Sequence, residues 1–149
     1  MNFKQKSSSN TTLLRIELAR LLFFERTEKE KSEDILRETL FNEPKNLKCL
    51  ELLARIKFNK TNYYECQATL EKIDKLHKSN SVTSTEMLFL KARVLQNIGE
   101  EEESLKTFMR CLGGDKDHYG ASVNIGNILT KKNQFQTAAK YFQNGLRIT

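Results

Sequence analysis

The sequence predicts an all-α fold of about eight helices, and three observations carry the prediction. Proline occurs once and glycine six times in 149 residues, beside many Leu, Lys and Glu. Few breakers and many strong helix formers favour helix. Apolar–polar alternation, the mark of a half-buried strand, does not persist over any useful length. Small and large side chains also recur at a step of 34 residues, from Ala92 to Gly126 and onward along both stretches. Glycine inside a helix costs about 1 kcal/mol relative to alanine, so Gly126 implies that something packs closely against it.

The elements follow in chain order. Residues 1–12, MNFKQKSSSNTT, hold two lysines, no acid and many Ser, Thr and Asn, and read as a flexible tail. A transit-peptide reading is outweighed, because no arginine precedes Arg15 and the stretch has little apolar face. The first helix pair spans about residues 13–46. Stepping back from the later copies puts Arg20 at the small-residue place of its first helix. Phe23 falls at the Leu95 and Leu129 place, Ser32 at the small place of the second helix, and Leu36 at the aromatic place. Pro44 follows the second helix, where a chain should leave it.

The second pair, 47–80, places Ala54, Cys66 and Leu70 in the same register, with Tyr63 at the Phe135 place and Ile73 at the Gly145 place. Residues 75–86, KLHKSNSVTSTE, read as a longer polar loop. The third pair, 85–118, carries Ala92, Leu95, Gly99, Ser104, Phe108, Cys111 and Leu112. Its acidic run Glu100 to Glu103 opens a second helix, where acids complement the helix dipole. Gly113-Gly114 reads as a C-cap and turn and not as a phosphate loop, since no Gly-Lys-Ser/Thr follows. The fourth pair, 119–149, carries Gly126, Leu129, Asn133, Ala138, Phe142, Gly145 and Leu146 at the matching places.

A 34-residue period with small residues at fixed offsets resembles the tetratricopeptide repeat, over about residues 13–149. The small place of the first helix is filled by Arg20, Ala54, Ala92 and Gly126, and that of the second by Ser32, Cys66, Ser104 and Ala138. Departures are Arg20 itself, and Lys57 and Lys91 at places that are usually apolar. The resemblance implies an α-solenoid of about four helix-turn-helix repeats, stacked because no pair buries its apolar face alone. It also implies a right-handed superhelix, with a groove lined by the first helix (A) of each repeat.

Composition bounds the function. Hydrophobic residues make up 38% and charged residues 30%, and no run of 18 or more apolar residues reads as a transmembrane helix. Net charge is +6 with a pI near 9.2. The excess is uneven: residues 45–84 hold eight Lys or Arg against four acids, and residues 119–149 hold four against none. Cys49, Cys66 and Cys111 are odd in number and widely spaced, forming neither a metal-type pair nor a disulfide framework. They read as packing residues in a reducing, intracellular compartment, cytoplasmic by preference with a mitochondrial location as the alternative. His77 and His118 lie near inter-repeat loops without an activating partner, so no catalytic constellation, cofactor or metal site is expected.

In such arrays partners bind on A-helix residues that face away from the second helix (B). By that register the places are Lys48, Glu51, Arg55, Phe58 and Asn59 in the second repeat. The third supplies Glu86, Phe89, Arg93, Gln96 and Asn97, and the fourth Val123, Asn127, Thr130 and Lys131. This lining suits an extended or helical peptide, with the phenylalanines as anchors and Arg55, Arg93 and Lys131 meeting acidic groups. One subclass of the family clamps the C-terminal carboxylate of chaperones with Lys and Asn. Those places hold Glu51, Arg55, Phe89 and Arg93 here and only Asn127 resembles that set, so an adaptor of that type is not expected.

The function expected is a non-catalytic protein–protein interaction scaffold or adaptor, a subunit of a larger assembly. The alternative is an RNA-associated helical-repeat protein using its basic patches. GLRIT closes the last helix with no polar helix after it. The open apolar face of that helix is expected to dock on a partner or a second copy, unless a longer chain continues it.

Overall fold

The computed structural model describes residues 3–77 and 83–149, with side chains from residue 9 onward within them. Among these residues the chain forms eight helices and no strand. They are α1 (Phe3–Phe24), α2 (Lys29–Asn42), α3 (Leu47–Asn59), α4 (Tyr63–Leu76), α5 (Thr85–Asn97), α6 (Glu101–Gly114), α7 (Tyr119–Lys131) and α8 (Phe135–Ile148). They divide into two compact units, Met1–Ser79 with α1 to α4 and Asn80–Thr149 with α5 to α8. Within each unit the dominant contacts join successive helices into pairs.

Local chemistry sets the helix ends. Asn46, Ser84 and His118 cap α3, α5 and α7 by accepting the N–H of Cys49, Met87 and Ala121, as N-cap side chains do. Each A-to-B turn carries one residue in the left-handed region: Thr27 at φ 59°, Thr61 at 62°, Gly99 at 91° and Asn133 at 60°. That explains why Gly99 and Asn133 share a register place, since glycine and asparagine tolerate this conformation best. Gly113 and Gly114 form the last turn of α6, and Asp115 is the capping residue, so the expected glycine C-cap is displaced by one residue. Of the expected loop 75–86, Lys75 and Leu76 end α4, Thr85 and Glu86 open α5, and residues 78–82 lie outside the described residues.

In the first unit Ile16, Ala19, Phe23, Leu36, Cys49, Leu52 and Ile56 form one apolar core. Two hydrogen bonds fix the pairs: Ser32 Oγ donates to the Ala19 carbonyl at 2.6 Å, and the Cys66 thiol to the Ala54 carbonyl at 3.1 Å. Ala19 is fully buried whereas Arg20 is half-exposed, so the small-residue place of the first repeat is Ala19, one position before the place expected. The reason is one extra residue between Ala19 and the left-handed Thr27, which lengthens the first turn.

Of the flexible tail expected over residues 1–12, Met1 and Asn2 lie outside the described residues and residues 3–12 belong to a helix. Helix α1 starts at Phe3. Its turn around residue 12 is tied down, because Thr12 Oγ1 donates to Glu43 Oε1 at 2.6 Å and Asn46 Nδ2 donates to Oε2 of the same carboxylate at 2.9 Å. Tertiary anchoring overrides the weak helix propensity of a Ser/Thr/Asn tract. These two donors hold the Glu43 carboxyl below the usual carboxylate range. Lys57, an apparent departure from the repeat, is half-buried in an ion-pair network with Glu33 at 3.8 Å and Glu65 at 2.7 Å.

In the second unit Leu88, Ala92, Phe108, Cys111, Ala121, Ile125, Ile128, Leu129 and Ala138 form the core. Ser104 Oγ donates to the Ala92 carbonyl at 2.8 Å, the same bond as in the first two pairs. Ala138 lacks a hydroxyl, and the Gly126 carbonyl accepts from Thr130 Oγ1 at 2.8 Å instead. A Cβ on Gly126 would stand 2.6 Å from the Phe142 ring. That ring is what packs on the glycine, and it answers the propensity cost noted in the sequence.

Candidate functional site

The site is built from A-helix positions counted from the buried small residue. With Ala19 in place of Arg20, the residue immediately after the small one is Arg20 in α1, Arg55 in α3, Arg93 in α5 and Asn127 in α7. Arg20, an anomaly in the sequence register, is thus the first of three arginines at one structural place. The signal that could have found it is the arginine following alanine in all three of ELAR, LLAR and LKAR.

In the first unit α1 and α3 touch and present Arg20 and Arg55. Arg20 Nε pairs with Glu17 at 3.1 Å on the surface. Arg55 is exposed and its guanidinium lies 5.3 Å from the centre of the Phe24 ring, a cation–π distance. Phe24 belongs to α1, whose groove places were out of reach while its register was shifted. Lys48 and Asn59 are exposed and Glu51 is half-buried. Phe58 is half-buried with its ring 5.5 Å from that of Tyr63, across the turn between α3 and α4. Beside Lys48 lies an open hollow of about 260 Å³, lined also by Leu13, Ile16, Glu43 and Asn46.

In the second unit Arg93 is exposed, 5.9 Å from the Phe89 ring centre. Phe89 is half-buried and wedged: its ring lies 5.7 Å from Phe108 and 4.6 Å from His118, and a Cβ on Gly120 would meet it at 2.8 Å. The ring is a platform for an arginine as well as a core contact. Glu86, Asn97, Asn127, Thr130 and Lys131 are exposed, and Gln96 and Val123 are half-buried. Asn97 Nδ2 donates to the Arg93 carbonyl at 2.7 Å. None of the expected binding-face residues is buried. In each unit one arginine lies over an aromatic ring, Arg55 over Phe24 and Arg93 over Phe89; Arg20 and Phe24 were not among the expected residues.

The thiols belong elsewhere. Burial pushes Cys66 up to about 12 and Cys49 and Cys111 to about 11, which leaves them protonated and unreactive at neutral pH. Among the described residues no three His, Cys, Asp or Glu side chains are grouped to hold a metal ion. No described helix is long and apolar enough to cross a membrane.

Residues 85–118 match the family model of the tetratricopeptide repeat. The fold is similar to that of MamA, a tetratricopeptide-repeat protein. One MamA crystal structure aligns with TM-score 0.79 and 14% identity over 94% of this chain and 74% of that chain. A MamA RS-1 double mutant gives 0.78 and 12% over 93% and 75%, and MamA MSR-1 gives 0.75 and 16% over 92% and 76%. No curated protein matches the sequence. The expected resemblance to the tetratricopeptide repeat and the expected fold class are borne out: the chain is an all-α helical-repeat solenoid, and one of its repeats matches the family model.

Proposed function

We propose that this chain is a non-catalytic protein–protein interaction scaffold or adaptor, a subunit of a larger assembly that receives an acidic peptide or helix on its A-helix faces. The tetratricopeptide match and the likeness to MamA support a protein partner. The observation that carries the acidic character is the arginine at one register place in α1, α3 and α5, twice laid on an aromatic ring. Stacking restrains a long side chain whose planar guanidinium matches the geometry of a carboxylate. That arrangement reduces the ordering cost of a bidentate pair. Lys48 and Lys131 add charge at the same faces, and Asn59, Asn97 and Asn127 add amide donors and acceptors for a peptide backbone.

The test is cross-linking mass spectrometry on the tagged chain recovered from its own cells, with and without nuclease, beside an Arg55→Glu/Arg93→Glu variant. The expected result is protein cross-links near Arg55, Arg93 and Lys131 that survive nuclease and vanish in the variant, with unchanged circular dichroism. An unchanged partner set in the variant would sink the assignment of these faces. Loss of the associated material on nuclease treatment would replace it with the RNA-linked reading, whose binding should fall steeply with salt.

A further inference from the structure

We infer that the chain assembles head to tail with further copies of itself, through the outer face of α1 on one copy and the outer face of α8 on another. This rests on different residues from the arginine faces and stands apart from them.

Helix α1 buries one face and exposes a second apolar stripe, Leu14, Leu18 and Leu21, which are 70%, 47% and 43% exposed. An i, i+4, i+7 stripe of leucine is the pattern of a helix face meant to be covered. The register says by what. Counted from Ala19, these leucines stand five and one residues before the small residue and two after it. The same offsets from Ala54 give Cys49, Leu53 and Ile56 in α3. Cys49 and Ile56 are fully buried, Leu53 packs on the core, and the Cys49 thiol donates to the Leu36 carbonyl of α2 at 3.7 Å. From Gly126 the offsets give Ala121, Ile125 and Ile128 of α7, all fully buried in the core with Phe108 of α6. In α3 and α7 this stripe lies against the B helix of the preceding pair. In α1 the stripe is leucine at all three places, and nothing among the described residues covers it.

Helix α8 offers the other half. Four and eight residues after the small residue of a B helix come Leu36 and Leu40 in α2, and Phe108 and Leu112 in α6. Leu36 and Phe108 are fully buried, and Leu40 and Leu112 are partly buried against the cores that α3 and α7 help to form. The α8 counterparts are Phe142, half-buried, and Leu146, 75% exposed, with exposed Ala139 one turn before them. One chain therefore carries both halves of an A-on-B contact that it already makes twice internally, from α2 to α3 and from α6 to α7. A second copy is the occupant whose complementarity is written in the same residues. Because the two faces differ, the contact is heterologous and propagates into chains or closes into a ring.

The test uses sedimentation velocity on the 149-residue chain and two variants, Leu14→Glu/Leu21→Glu and Ala139→Glu/Leu146→Glu. All four positions are exposed, so circular dichroism should match the parent. The parent should grow above 17.3 kDa with concentration and each variant alone should stay at that mass. An equimolar mixture of the variants should stop at a pair of about 35 kDa, since one intact α1 face and one intact α8 face remain between them. Three results would overturn the inference: a parent that stays monomeric at every concentration, a single variant that still self-associates, or a mixture that does not pair.

Discussion

The corrected register of the first repeat makes a prediction that sequence alignment alone would invert. Alignment puts Arg20 at the tight helix–helix contact, and the structure puts Ala19 there. Ala19 is fully buried and its carbonyl accepts the Ser32 hydroxyl at 2.6 Å. Ala19→Leu adds three heavy atoms at this contact. Overpacking of that kind costs about 1–3 kcal/mol, and spreading α1 from α2 loosens a buried hydrogen bond worth about 0.5–1.5 kcal/mol. The sum is about 1.5–4.5 kcal/mol, or about 3–18 °C in Tm at about 2–4 °C per kcal/mol for a chain of this size. Arg20→Leu removes a surface pair with Glu17, worth about 0.2–1 kcal/mol, and leucine matches arginine in helix propensity. Its cost should stay near 0.5 kcal/mol, as for most surface changes. Urea and thermal unfolding followed by circular dichroism measure both. A larger loss for Arg20→Leu than for Ala19→Leu would refute the register and, with it, the shared register place of Arg20, Arg55 and Arg93.

Other expectations follow from single features of the fold. Thr61→Gly should stabilise the chain by about 0.5–1 kcal/mol in urea titrations, because a β-branched residue at φ 62° carries left-handed strain that Gly99 avoids at the same place; equal or lower stability would mean that the Thr61 side chain supplies a compensating contact. Cys66→Ser should stay within about 1 kcal/mol of the parent at pH 7, since Ser32 and Ser104 make the same bond in the neighbouring pairs. That variant should also flatten the alkaline loss of stability. A thiol raised from 9.0 to about 12 by burial stays protonated in the fold while the unfolded thiol ionises. Its contribution is therefore complete below pH 9 and is lost between about pH 9 and pH 12. Urea midpoints at pH 8, 9.5 and 10.5 for the two proteins decide it, and parallel curves would remove Cys66 as the cause.

The sequence made the repeat legible because a buried helix–helix contact constrains side-chain size more tightly than any other feature of this fold. Ala54, Ala92 and Gly126 are small for one geometrical reason, and Cys66, Ser104 and Ala138 for its reciprocal. The reading failed where the constraint was carried by spacing and not by residue type. One residue added to the first turn moved the anchor from Ala19 to Arg20, and a composition-based view of residues 1–12 missed the Thr12–Glu43–Asn46 links that hold that part of α1. Both errors fall on the same helix and have one consequence. While α1 was out of register its outward leucines had no meaning, and Arg20 was a blemish. Shifted by one, Arg20 takes the register place of Arg55 and Arg93, Phe24 is the ring under Arg55, and Leu14, Leu18 and Leu21 take the places that are filled by core-packed residues in α3 and α7. A single-residue register therefore decides both the proposed binding face and the proposed assembly face, because side chains one position apart on a helix point about 100° away from each other. The pair Ala19→Leu and Arg20→Leu is for that reason the hinge of the whole reading: the order of their costs says which of the two faces each residue of α1 belongs to.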